Sequence, residues 1–266
     1  MLEIEFKTDK EILARAMISK NAMPMDFAKY LFQKYRTSYL LLQNNLMEKE
    51  IDDNLLLELM QQKFFEEYIN EAKENLLRMQ ENWQTNKDKI NMFLDKIFKK
   101  NFILKTTAFI VPPNLNRGIN IGNNQFVYGH INGLNDENYD LVYLVHEALH
   151  SYFKNDIISH SIIEKIADIE LAKFLNNNEL SYECHNFTKT MHIKILPFWN
   201  LYLNKPDDLI KEENKQQNII YDIDSFKCYE NEIKEMDIDA FVQFLKRFNL
   251  YNNLDLTCQY VLKMNN

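Results

Sequence analysis

The stretch Leu144-Val145-His146-Glu147-Ala148-Leu149-His150 decides the reading of this chain. It is an H-E-x-x-H pattern inside an apolar run whose flanks, Leu141, Val142, Tyr152 and Phe153, suit a buried helix. Histidines four residues apart lie one above the other on one helical face, so both imidazoles can reach a single metal ion. A buried helix carrying His, Glu and His would incur a large desolvation cost without a partner, and a divalent metal supplies one. Glu147, next to the first histidine, is placed to act as a general base at an open coordination position.

Working outward, the motif sits in the half of the chain that carries all the histidines: His130, His146, His150, His160, His185 and His192. The glycines Gly118, Gly122, Gly129 and Gly133 fall in one short window just before it, where strands and turns are expected to concentrate. Phe102–Val111 reads as a strand stopped by Pro112-Pro113. Asn116–Ile121 and Gln125–Ile131 read as two more, joined around Gly122-Asn123-Asn124. The motif helix is expected near 138–154, with Asp136 or Asp140 at its start, and a second helix near 160–176. Beyond that the chain reads as helical, broken at Pro197 and Pro206.

The first hundred residues read differently. Helices are expected over 8–20 and 25–47, with Pro24 near a helix start. A long helix is expected near 52–83, from the stripe Leu57, Met60, Phe64, Tyr68, Ala72, Leu76, Met79 and Trp83. Thr85 is expected to cap another helix carrying Ile90, Phe93, Leu94 and Ile97. The fold class is α+β and mostly helical: a helical N-terminal subdomain, 1–100, and a domain at 101–266 with a small mixed sheet and the motif helix.

Composition narrows the partners. A net charge of −8 without a basic patch argues against nucleic acid. No apolar run is long enough to span a membrane. The segment Met1–Lys7 lacks the features of a secretory leader, and Cys184, Cys228 and Cys258 lack zinc-ribbon spacing. Together these predict a cytoplasmic protein with reduced thiols.

A catalytic zinc usually takes three protein ligands and keeps one position for water. Three acidic residues follow the motif: Asp156, Glu164 and Glu170. Asp156 is spaced as in metzincins, but Phe153 stands where those use a turn-forming Gly. Glu170 falls on another face. Glu164 and Asp168 form E-x-x-x-D; in an antiparallel hairpin turning near residue 157, Glu164 would mirror His150 and Asp168 would mirror His146. Against this, Ser161-x-x-Glu164 is also a capping-box pattern.

His146-Glu147-x-x-His150 followed by Glu164-x-x-x-Asp168 resembles the thermolysin-like gluzincin metallopeptidases. The resemblance implies a zincin-like fold and a zinc-dependent hydrolase that cleaves peptide bonds. It makes His146, His150 and Glu164 the Zn2+ ligands, Glu147 the general base and Asp168 the residue that orients His146. It also implies that a peptide or protein substrate pairs with a sheet edge before the motif helix, for which Asn124–Gly129 is the candidate. A downstream His or Tyr would stabilise the oxyanion, from among Tyr182, His185, His192, Tyr221 and Tyr229. The alternative is a non-catalytic helical binding or regulatory module with a structural or vestigial metal site, closed by His185 or Cys184.

Overall fold

The computed structural model describes residues 1–20, 22–35, 53–113, 115, 118–129, 138–179, 182, 185–205, 219–221, 229–248 and 262–264. The chain is mostly helical around a small mixed sheet, which is the α+β class expected. It divides into two compact units that interleave along the sequence. One, the sheet unit, comprises Leu2–Lys89 and Ile103–Tyr152; the other, the C-terminal unit, comprises Met1, Ile90–Phe102 and Phe153–Asn266.

The sheet unit opens with β1 (Leu2–Lys7), whose burial alternates as a half-buried strand requires. Helices α1 (Lys10–Ser19), α2 (Met25–Tyr35) and α3 (Asp53–Met60) follow, then α4 (Lys63–Phe98), which passes from this unit into the other at residue 90. The remaining elements are β2 (Leu104–Ile110), β3 (Ile119–Gly122), β4 (Gln125–Tyr128) and the motif helix α5 (Tyr139–Leu149). Strand order is β1-β2-β4-β3. β1 and β4 each run parallel to β2, while β3 runs antiparallel to β4. The β3–β4 turn is made by Asn123 and Asn124, both at positive φ (51° and 57°), the conformation that tight hairpins demand and Asn tolerates.

The expected helix at 52–83 is instead two helices. The break at Gln61-Gln62 shifts the buried face, so that Leu55, Leu56, Leu59 and Phe65 enter the core while Leu57 is half exposed. These residues join Leu13, Met17 and Leu31 against Val111 and Val127 of the sheet region. Thr85 caps nothing. Its hydroxyl donates to the Glu81 carbonyl one turn back, and α4 runs straight through it.

The C-terminal unit begins with α6 (Ile157–Glu164), a π-helical segment (Lys165–Leu171) and α7 (Ala172–Leu175), which are continuous. Then come α8 (Lys189–Tyr202), β5 (Ile219–Tyr221), α9 (Glu230–Glu235), α10 (Ile238–Arg247) and β6 (Leu262–Met264), with β5 and β6 paired antiparallel. Its core stacks Trp199, Tyr202 and Phe241, with ring centroids 4.5–6.0 Å apart. Pro197 lies inside α8 rather than breaking it. Asp136, Pro206, His130 and the three cysteines lie outside the described residues, as does much of the helix expected over 25–47. Among the described residues, no helix is long and apolar enough to cross a membrane.

Candidate metal centre

Helix α5 is buried on nearly every side. Leu141, Val142, Leu144, Val145, Ala148 and Leu149 are fully enclosed, and His146 and Glu147 retain only 2% and 7% of their exposure. Asp140, in its first turn, anchors the helix. It accepts from the Tyr128 hydroxyl at 2.8 Å and from Arg78 at 2.8 Å. Burial, then the neighbouring Asp140 carboxylate, pushes the Tyr128 phenol well above its ordinary value, so it remains a donor.

The helical spacing brings the two histidines together. His146 Nε2 and His150 Nε2 stand 3.2 Å apart, their rings tilted by 60°. Two nitrogens bound to one tetrahedral zinc at 2.0–2.1 Å are separated by about 3.3 Å. The pair therefore fits a shared zinc in donor chemistry and in spacing. Tyr143 stacks on His146 at 5.8 Å from the preceding turn. The Glu147 carboxylate lies against Gly118, in the chain just before β3. Asn120 of β3 donates to the Glu147 carbonyl at 3.4 Å and to Ser151 Oγ at 3.0 Å.

The sheet edge beside α5 is β3, not the expected Asn124–Gly129. β4 is paired on both sides, and Phe126, Val127 and Tyr128 are completely buried, so it has no open edge to offer. The apolar run Phe126-Val127-Tyr128 marks a strand covered on both faces but does not say whether it is central or at an edge.

Glu164 and Asp168 lie in the C-terminal unit. Glu164 ends α6 and is fully buried; Asp168 lies in the π-helical segment at 1% exposure. Both Glu164 oxygens are held. Oε1 accepts from the His185 backbone N–H at 2.9 Å and faces His185 Nδ1 at 2.5 Å. Oε2 accepts from Thr188 Oγ1 at 2.6 Å and faces His192 Nε2 at 2.5 Å, and His160 Nε2 lies 3.5 Å from Oε1. Burial alone would raise the Glu164 pKa. The donors from His160, His185, His192 and Thr188 outweigh it and hold the carboxyl far below the usual range. Burial lowers the His192 pKa, against the pull of Glu164. His160, Glu164 and His185 bring ligand atoms within 4.8 Å of one another, a second group able to hold a metal.

The capping-box reading of Glu164 is excluded. α6 starts at Ile157 with Asp156 as its N-cap, and Ser161 donates back to the Ile157 carbonyl at 2.8 Å. Asp156 accepts from the Ser159 backbone at 3.0 Å and from Lys246 at 2.7 Å, and Glu170 is ion-paired to Lys205 at 2.6 Å, so both have structural partners. Of the oxyanion candidates, His185 and His192 contact Glu164, the Tyr182 N–H donates to the Asp168 carbonyl, and Tyr229 packs on Phe244 and Phe248. The side chain of Tyr221 is outside the described residues. Sequence reasoning missed Gly118, Asn120, His160 and Thr188. The i,i+4 spacing of His160 and Glu164 was a readable signal; Thr188 had none.

Compared with protein-family models, curated proteins and solved structures, the chain matches none.

Proposed function

We propose that the protein is a zinc-dependent hydrolase of the gluzincin type, cleaving peptide bonds in a peptide or protein substrate. One observation carries the reading: a buried helix aims two Nε2 atoms at one point, 3.2 Å apart, and places a buried carboxylate between them in sequence. A merely structural site has no need of Glu147. His146 and His150 hold the metal, and Glu164 is assigned as the third ligand on the sequence pattern. A carboxylate held ionised by its surroundings is in the protonation state that a ligand needs.

Zinc, when bound, would polarise a water and the scissile carbonyl. Glu147 takes a proton from the attacking water and delivers it to the leaving amine. The stack of Tyr143 on His146 limits the freedom of that imidazole. β3, the antiparallel edge strand beside α5, is the edge on which an extended chain would pair.

A second reading draws on the His160, Glu164 and His185 group: a structural metal site closed within the C-terminal unit, in a non-catalytic module. Paired substitutions separate the two. Glu147→Gln should retain zinc and lose casein hydrolysis by 10²-fold or more, on the order of a lost general base. If His160→Ala and His185→Ala abolish zinc while His146→Ala retains it, the structural reading replaces the catalytic one.

A further inference from the structure

Gly118 precedes β3 with φ +134°, a conformation L side chains rarely adopt. A β-carbon added there would meet Glu147 Cδ at 2.9 Å and Cγ at 3.0 Å, with Oε1 nearer still. The backbone thus approaches the Glu147 carboxylate as closely as only glycine permits. Gly122, at the far end of β3, also has positive φ (+84°), yet a β-carbon there meets nothing within 4 Å. The first glycine is required by a contact as well as by conformation; the second by conformation alone. Asn120, between them, grips α5 at the Glu147 carbonyl and the turn after it at Ser151, and its own Oδ1 accepts from the Gly122 N–H at 3.0 Å. β3 therefore meets α5 at the Glu147 side chain through Gly118 and at its main chain through Asn120.

We infer that Gly118 is a positioning residue for Glu147: its bare backbone is the wall that sets where the carboxylate stands, and any side chain at 118 displaces it. The functional half of this rests on the proposed role of Glu147 as base; the contact does not. Glu147 has three side-chain torsions, so helix α5 alone does not fix its carboxylate. A displacement of about 1 Å at a reacting group can cost about 10²-fold in rate.

A double-mutant cycle on the full chain tests the contact without substrate or metal. Gly118→Ala should lower the denaturation midpoint more than Gly122→Ala, which carries backbone strain alone. In a Glu147→Ala background, the loss at 118 should shrink to the part that backbone strain at φ +134° imposes. If Gly118→Ala does not fold, the double variant with Glu147→Ala should restore folding. An equal loss at 118 with and without Glu147, or a double variant that also fails to fold, overturns the inference. The positioning role is read from the visible spectrum of the cobalt-loaded protein. Gly118→Ala should reproduce the change made by Glu147→Gln, and Gly122→Ala should keep the wild-type spectrum. A wild-type spectrum for Gly118→Ala overturns the positioning role while leaving the metal site standing. Failure of wild type to bind cobalt removes the metal reading and the positioning role with it, and the cycle still decides the contact.

Discussion

Asp140 and Asp156 both stand at helix starts and do different work. Asp140 accepts from a completely buried phenol, so its removal leaves the Tyr128 O–H without an acceptor in the core. Asp140→Ala is expected to lower stability by about 1–3 kcal/mol, and Tyr128→Phe by about 1 kcal/mol, since Asp140 keeps its Arg78 donor in the second variant. Chemical denaturation of the two variants checks the order. Asp156 is an N-cap with an ion pair to Lys246, and Asp156→Ala should cost about 1 kcal/mol and leave metal content unchanged. Burial pulls the Asp156 carboxyl upward, but the Lys246 and Ser159 donors prevail and its folded pKa is lowered. Its stabilising contribution is therefore fully present above the unfolded value of about 3.9 and is lost as pH falls through the lower folded value. Acid unfolding of Asp156→Ala should show a shallower pH slope than wild type in that range. An unchanged slope would show that the cap and ion pair do not couple to folding. At this scale the sequence told part of the story. His146, Glu147 and His150 were legible because a single helical turn relates them. The partners of Glu164 were not, because His185, Thr188 and His192 lie 21, 24 and 28 residues downstream and only tertiary packing brings them in.

Among the elements, local signals located strands and helices well and their roles less well. Pro112-Pro113 ended β2 and the Asn123-Asn124 pair made the β3–β4 turn, because fixed φ and tolerance of positive φ are properties of single residues. Which of the two strands formed the edge was not legible, since pairing on the far side of β4 comes from β2. The apolar stripe of the N-terminal helices was read correctly at Ala72, Met79 and Trp83, which are buried, but it took in the exposed Leu57 and passed over Leu55, Leu56, Leu59 and Phe65, because the break at Gln61-Gln62 carries no Gly or Pro to announce it. Pro197 was read as a break, yet its ring is buried within α8. The turn offers a direct check on this level. Asn124 sits at φ 57°, where a β-branched side chain costs roughly 1–2 kcal/mol. Asn124→Val is expected to lower the denaturation midpoint by that amount. Asn124→Gly should preserve it or raise it slightly, because Asn-Gly suits this turn. Equal effects from both substitutions would mean that the hairpin conformation does not limit stability.

For the whole molecule, the least legible feature was the pairing of β1 with β2, Leu2 against Leu104 through Lys7 against Phe109. No local pattern links strands that far apart, and the alternation in Leu2–Lys7 says only that one face is covered. That pairing places the N-terminal helices in the same compact unit as α5, and the two units interleave along the sequence. His146, Glu147 and His150 belong to the sheet unit, and Glu164 and Asp168 to the C-terminal unit. The proposal that His146 and His150 hold a catalytic zinc is the claim on which the rest depends. Its most direct measurement is elemental analysis of the purified protein after zinc loading and desalting, for wild type, His146→Ala and His150→Ala, with circular dichroism to confirm folding. The account predicts about one zinc per wild-type chain and its loss in both folded variants. A wild-type protein free of metal, or folded variants that keep full zinc, would contradict it.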